Sequence, residues 1–162
     1  MFKKLFGKKE VEGGRVLAVS NGRVVPLEEV PDPVFSQKVL GEGVAIYPEE
    51  GKIYSPVSGV IENVMDTGHA LAVTASDGAQ ILIHVGLDTV ELKGEGFVKH
   101  VTAGQKVSAG DLLLEVDLEL LRSKGLSSIT PVLILNKDSF AEVIPVTGMA
   151  KAGETVIIQY RL

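Results

Sequence analysis

The sequence predicts an all-β fold, a sandwich or barrel of short antiparallel strands. Three observations predict it. The 18 glycines and 7 prolines punctuate the chain at intervals of about eight to twelve residues. Between them lie short β-branched or alternating runs, the period-2 pattern of half-buried strands. Helical periodicity is confined to two brief segments. At 162 residues, 45% apolar and 23% charged, the chain is long enough to bury a core without staples. It has no cysteine, which excludes disulfides, thiolate metal sites and cysteine nucleophiles.

Taken in order, Val16–Val19 and Gly22–Pro26 read as strands around an Asn21-Gly22 turn. Pro33–Val39 is a turn or two of helix, and Val44–Tyr47 a strand closed by Glu50-Gly51. Gly59–Val64, Ala70–Thr74 and Gln80–Val85 follow, the last two joined across Ser76-Asp77-Gly78. Ala109-Gly110-Asp111 turns the chain into Leu112–Val116. Asp117 then reads as the N-cap of a short helix to Lys124, with Leu118, Leu120 and Leu121 behind it. Pro131–Leu135 and Thr155–Tyr160 complete the set. No Pro/Ser-rich linker divides the chain, so residues 14–162 read as one domain and, in solution, as a monomer. Ser55–Ile61 is echoed by Val101–Val116, where a Gly-Asp turn opens a strand. The second stretch resembles the hairpin unit of biotinyl and lipoyl carrier domains. The carrier lysine that such hairpins bear at their tip is missing, so the echo speaks for fold and not for a carried cofactor.

Charge is unevenly placed. The net charge is −5, but Lys3, Lys4, Lys8 and Lys9 put +4 into the first nine residues. Residues 10–162 hold 12 basic against 21 acidic side chains, a balance of −9. Such a body repels nucleic acid. Residues 1–13 are read as a flexible, solubilising basic tail. The alternative is contact with an anionic membrane surface through Phe2, Leu5 and Phe6 on one helical face. No stretch approaches the roughly 20 apolar residues of a membrane span, and no signal peptide is visible. The expected compartment is the cytoplasm.

The chemistry-bearing residues are three histidines, His69, His84 and His100. His84 lies in Ile81-Leu82-Ile83-His84-Val85, where a polar ring is costly unless hydrogen-bonded or put to use. Strand pairing across Ser76-Asp77-Gly78 decides whether His69 reaches it. A two-residue loop, Ser76-Asp77 or Asp77-Gly78, sets the rings opposite or diagonal on one face, with Cβ atoms roughly 5–8 Å apart. A three-residue loop sends them to opposite faces. The two-residue loops are the commoner ones and predict a pair. From the residues alone, two uses stay open: satisfied core histidines, or a working pair. A working pair binds zinc if further ligands join it, or accepts a phosphoryl group on a ring nitrogen that is free near neutral pH. His100 has no imidazole partner and reads as surface.

No competing signature appears. There is no Gly-x-Gly-x-x-Gly before a helix, no phosphate loop ending in Gly-Lys-Ser/Thr, and no Gly-x-Ser-x-Gly. Gly41-Glu42-Gly43 and Gly94-Glu95-Gly96 are too short to cradle a nucleotide. Glu28-Glu29 and Glu49-Glu50 read as solvated turn residues.

The stretch Gly78-Ala79-Gln80-Ile81-Leu82-Ile83-His84-Val85-Gly86-Leu87-Asp88-Thr89-Val90 resembles the active-site signature of the glucose-type IIA components of the bacterial phosphoenolpyruvate-dependent sugar phosphotransferase system. Pro31–Phe35, Gly41–Ile46, Ser55–Gly59, Thr67–Ala70, Glu91–Phe97, Gly110-Asp111 and Thr130–Val132 extend the likeness to residues 14–160. The resemblance implies an antiparallel β-sandwich of the barrel-sandwich hybrid kind (a duplicated hybrid motif) with one or two short helices. It implies a phosphotransferase component that acts as a carrier rather than as a stand-alone enzyme. His84 would accept the phosphoryl group from phospho-HPr and pass it to a cysteine on the IIB domain of a sugar permease. His69 would stabilise the phosphoryl group and the transfer state, and Thr67 would orient His69. Asp32 and Asp88 would rim the site and face basic partner residues, though Pro-Asp-Pro and Asp-Thr are also ordinary turn sequences. Val34, Phe35, Val39, Leu40, Val44, Met65 and Leu82 would form the apolar docking patch.

The resemblance implies no required cofactor and no intrinsic metal. In some relatives zinc is held between the two histidines and a partner carboxylate, which here would place it at His69 and His84. Some relatives also bind regulatory transporters or kinases. Met65 and Leu82 stand where relatives often carry aromatics, so partner preference is expected to differ. The chain is expected to act apart from any fused IIB and IIC domains. Glucose, N-acetylglucosamine, trehalose and β-glucoside permeases all stay open as clients. Two other classes fit less well. Zinc peptidases that share the hybrid sandwich need a His-x-His, absent here. A purely regulatory binding protein would use the histidines only for docking.

Overall fold

A computed structural model describes residues 13–162 of the chain. The expected basic tail lies outside these residues, except for Gly13, which opens the first strand. Fourteen strands and two short α-helices are seen among the described residues. They are β1 (Gly13–Leu17), β2 (Gly22–Pro26), α1 (Pro33–Ser36), β3 (Glu42–Pro48), β4 (Lys52–Tyr54), β5 (Gly59–Val64), β6 (Ala70–Ala75) and β7 (Gln80–His84). Then come β8 (Phe97–Lys99), β9 (Lys106–Val107), β10 (Leu112–Val116), α2 (Leu118–Ser123), β11 (Thr130–Ile134), β12 (Glu142–Pro145), β13 (Gly148–Ala150) and β14 (Val156–Arg161). An eight-stranded sheet in the order β13-β2-β3-β11-β7-β6-β5-β9 packs with two three-stranded sheets, β1-β14-β12 and β4-β10-β8. The pairings are antiparallel throughout. The architecture is the all-β antiparallel sandwich expected from the sequence.

The central strands of the large sheet are buried on both faces, which is why β3 and β11 read as near-continuous apolar runs. On one face Val44, Val132, Ile83 and Leu71 stand in register across β3, β11, β7 and β6 and enter the main core. On the other face Leu133 and Leu82 face outward beneath a smaller cluster. Leu27, Val30 and Phe35 cover them, drawn from a 3-10 turn (Leu27–Glu29) and α1. Both helices start as their sequences dictate. Asp32 caps α1 by accepting from the Val34 amide at 3.0 Å, with Pro33 in the first turn. Asp117 caps α2 by accepting from the Leu120 amide at 3.1 Å, and Leu121 is buried. The two echoed segments lie against each other. Ser55 donates to the Asp111 carbonyl, Gly110 donates back to the Ser55 carbonyl, and Gly59 pairs with Val107.

Three differences from the sequence reading matter. The strands β4, β8, β9, β12 and β13 were not expected. They are two to four residues long, too short for a period to show. The helix expected over Pro33–Val39 stops at Ser36. The third difference bears on the site: the β6–β7 loop has three residues, not two. Ala75 pairs with Ala79, and the register runs through Ala72↔Leu82 to Ala70↔His84.

Candidate functional site

His84 ends β7 on the face of the smaller cluster. Its ring rests on that of Phe35, with centroids 5.2 Å apart and planes tilted by 58°. Strand alternation in the observed register puts residue 69, which pairs with Val85, on the opposite face. The two imidazoles nonetheless meet edge to face, with centroids 5.1 Å apart at 82°. The expected two-residue loop and shared strand face are therefore not found, although the expected pair of rings is. The reason is local. Gly68 turns the chain with φ +77°, a left-handed value that a side chain disfavours. His69 therefore enters β6 from a bend, free of the pleat that would aim its ring into the main core.

Each ring is held at Nδ1. The His84 Nδ1 lies 2.8 Å from the carbonyl of Gly86. A carbonyl only accepts, so Nδ1 carries the proton and Nε2 keeps its lone pair. The His69 Nδ1 is hydrogen-bonded to the hydroxyl of Thr67. Burial, partly offset by the Gly86 carbonyl, Asp32 and Asp88, holds the His84 pKa below its ordinary 6.5. Burial, then the neighbouring His84, also lowers that of His69. Both rings are neutral at pH 7, as a nitrogen nucleophile requires.

Asp32 and Asp88 act on His84 through their charges, and each also has a place in a turn. Asp32 is the cap of α1. Asp88 sits at φ +59° before a 3-10 turn, Thr89–Leu92. Asp32 thus caps α1 and also stands close enough to His84 for its charge to act on the ring. Of the expected apolar patch, Val34, Val39, Leu40 and Met65 are between 39% and 69% exposed, and Leu82 is half-buried. Two members are corrected. Val44 is wholly buried in the main core because it shares a row with Val132 and Ile83, so it offers nothing to a partner. Phe35 is buried too and serves as a wall for the His84 ring. His100 is on the surface as expected, 3.0 Å from Glu115.

Sequence reasoning missed Gly86, Thr89 and Val90. Gly86 supplies the carbonyl that sets the His84 tautomer, and the buried Thr89 hydroxyl donates to the Val85 carbonyl at 2.6 Å. Val90 is exposed two residues beyond Asp88. A glycine just past the end of a strand that carries a histidine was the available signal for a left-handed turn. Gly86 has φ +78°, and a Cβ on it would lie 2.6 Å from Thr89 Cγ2 and 2.8 Å from the Ser127 carbonyl. Gly86→Ala should destabilise the fold by about 1–3 kcal/mol, a fall of several degrees in Tm. It should also loosen the hydrogen bond that fixes the His84 tautomer. Thermal unfolding and an imidazole NMR spectrum of the same sample check both.

Two neutral imidazoles side by side suit a group that arrives, is held and leaves again. Among the described residues, no three His, Cys, Asp or Glu groups are placed to hold a metal ion. His84 stands against a second imidazole and the Phe35 ring, in the field of two aspartates, an arrangement that suits a phosphocarrier. The comparisons agree. Residues 14–140 match the family described as phosphoenolpyruvate-dependent sugar phosphotransferase system, EIIA 1. Over 163 residues the chain is 50% identical to the PTS system glucose-specific EIIA component of Oceanobacillus iheyensis, covering 98% of each. It is 44% identical over 160 residues to that of Haemophilus influenzae, covering 98% of this chain and 96% of the other. Among solved structures it is similar to the glucose permease IIA from Mycoplasma capricolum. That likeness has a TM-score of 0.84 and 36% identity, over 96% of this chain and 99% of the other. The chain belongs to the EIIA 1 family of the phosphoenolpyruvate-dependent sugar phosphotransferase system and is a phosphocarrier in sugar uptake.

Proposed function

We propose that His84 accepts a phosphoryl group from phospho-HPr on Nε2 and passes it to a cysteine of the IIB domain of a glucose-type permease. One observation carries this reading: the Gly86 carbonyl claims the Nδ1 proton, which leaves Nε2 with its lone pair next to a second imidazole. Glucose as the sugar is supported by relatives 41–50% identical that carry the glucose-specific description.

In the first half-reaction Nε2 attacks phosphorus, the new N–P bond forms and the donor leaves with the electron pair of the bond that breaks. In the second, a cysteine thiolate attacks phosphorus and the N–P electron pair returns to Nε2. Nδ1 keeps its proton throughout, so His84 ends as it began. Charge spreads over the three equatorial oxygens in transfer. Thr67, by donating to His69 Nδ1, would leave the single proton of that neutral ring on Nε2, aimed at those oxygens. Asp32 and Asp88 would meet basic residues of both partners, and Val34, Val39, Leu40, Met65, Leu82 and Val90 would form the apolar contact. Regulatory transporters or kinases would dock on this same face.

No cofactor takes part in these steps. Zinc bound by His69 and His84 would have only two ligands from this chain, and a closed site needs about four. A partner carboxylate would have to help complete it. We place the protein in the cytoplasm, acting as one domain over residues 14–162 and away from nucleic acid. No helix among the described residues is long and apolar enough to cross a membrane.

The test is incubation with phosphoenolpyruvate, the general first enzyme of the system and HPr, read by intact mass. An adduct of one phosphoryl group that is lost in acid supports the proposal. No adduct with competent HPr overturns it in favour of a regulatory binding protein. The rate of acceptance should depend on pH with a midpoint below 6.5. The nucleophile is neutral His84, whose pKa is lowered, so activity present at pH 7 survives through pH 6.5 and falls only as His84 becomes protonated. A rate profile set beside an imidazole NMR titration checks this.

A further inference from the structure

We propose that Lys38 is a positioning residue, which holds the Val39–Leu40 loop in the shape that docks partners. The proposal rests on the reading that Val39 and Leu40 contact those partners. Lys38 has φ +59°, a left-handed conformation uncommon for a lysine and kept only where the surroundings enforce it. Its ammonium lies 3.0 Å from Glu28 Oε2 and 3.0 Å from Glu42 Oε2. Glu28 belongs to the 3-10 turn before α1, and Glu42 is the first residue of β3. The other oxygen of Glu42 accepts from the Gly43 amide at 3.0 Å, so the carboxylate is itself fixed. One cation thus ties the 3-10 turn that precedes α1 to the start of β3, across the base of the loop.

The loop is pinned on both sides of Lys38. The Lys38 amide donates to the carbonyl of Phe35, whose ring packs on His84. At Gly41 the backbone returns so close to the Ile134 carbonyl that a Cβ would lie 2.1 Å from it. Between these pins the chain presents Val39, 69% exposed, and Leu40, 39% exposed. Without the lysine, Glu28 and Glu42 lose their shared counter-ion, and only the backbone pins are left to hold the left-handed turn. The loop is then free to fold Val39 away from solvent. The Lys38 side chain is 31% exposed, against 70% for Arg122 in the pair with Glu119, so water screens it less.

The experiment measures phosphoryl transfer from phospho-HPr to the intact protein, its Lys38→Met and Lys38→Arg variants, and Val39→Asp. Lys38→Met should raise KM roughly 3–10-fold with kcat within twofold, as fits the loss of one partly shielded ion pair, to Glu42, and one exposed pair, to Glu28. The imidazole titration of His84 should not move, and Lys38→Arg should restore KM. A normal KM for Lys38→Met, while Val39→Asp raises it, overturns the clamp and leaves the docking reading standing. A normal KM for Val39→Asp overturns the docking reading and the proposal with it. A fall in kcat, a shift in the His84 titration or a failure of arginine to rescue also overturns it.

Discussion

His84→Ala should take up no phosphoryl group at all. The expectation is absolute because the structure offers no second acceptor of the same kind. His69 is neutral and close, but its Nδ1 is bound to Thr67 and its ring is buried. His100 lies in the separate β4-β10-β8 sheet region, paired with Glu115. The substitution removes the nucleophile and also the ring that packs on Phe35, so the variant must first be shown to be folded. A far-UV spectrum and a cooperative thermal transition suffice for that. His84→Gln is the companion, since it keeps more of the side-chain volume and still lacks the nucleophilic nitrogen. Intact mass after exposure to phosphoenolpyruvate, the first enzyme and HPr is the measurement. An acid-labile adduct on either folded variant would move the acceptor to another residue and overturn the assignment of His84.

The strands with the clearest period or the longest apolar runs were legible in the sequence. Gly22–Pro26, Gly59–Val64 and Leu112–Val116 are found with the bounds expected. In these strands side-chain pattern and backbone pairing agree, so a local rule suffices. The five unexpected strands are held by their neighbours: β9, two residues long, exists because β5 offers it an edge. Tertiary pairing of this kind leaves no local trace.

The histidine pair shows the limit in another form. The two rings were expected to meet by alternation on one face, yet the register forbids that, and a turn at Gly68 brings them together. Parity arguments apply within a ladder and fail at its last rung, where residue 69 sits. Val44 failed for a related reason. In a strand buried on both faces, neighbouring apolar residues look alike, and only the register reveals that Val44 points into the main core while Leu133 faces the other way. At Gly86 the residue type announces the left-handed turn, but not that its carbonyl meets His84 Nδ1.

His69→Gln should separate the two half-reactions. With both rings neutral at pH 7, His69 takes up charge only when charge arrives. A phosphoryl group on His84, as proposed, would bring negative oxygens against the His69 ring, 5.1 Å away between centroids. Nearby negative charge reverses the lowering of its pKa and favours the imidazolium. Acceptance from phospho-HPr should tolerate glutamine, because the amide still fills the site and its N–H can meet the arriving oxygens. Onward transfer should not, because an incoming thiolate adds a further negative charge that glutamine, unable to ionise, cannot offset. The expected loss is about 10²–10³-fold in transfer to the IIB domain, the usual cost of one transition-state donor. Acceptance should stay within about tenfold of the native rate, a bound set by general acid–base effects being lost only in part. Thr67→Ala should act in the same direction and less strongly, since it frees the His69 ring without removing it. Single-turnover transfer from the isolated phosphoprotein to IIB, set beside the rate of its formation, reads the two steps separately. Equal loss in both would mean that His69 supports His84 structurally in each state, and would end the division of labour between the two rings.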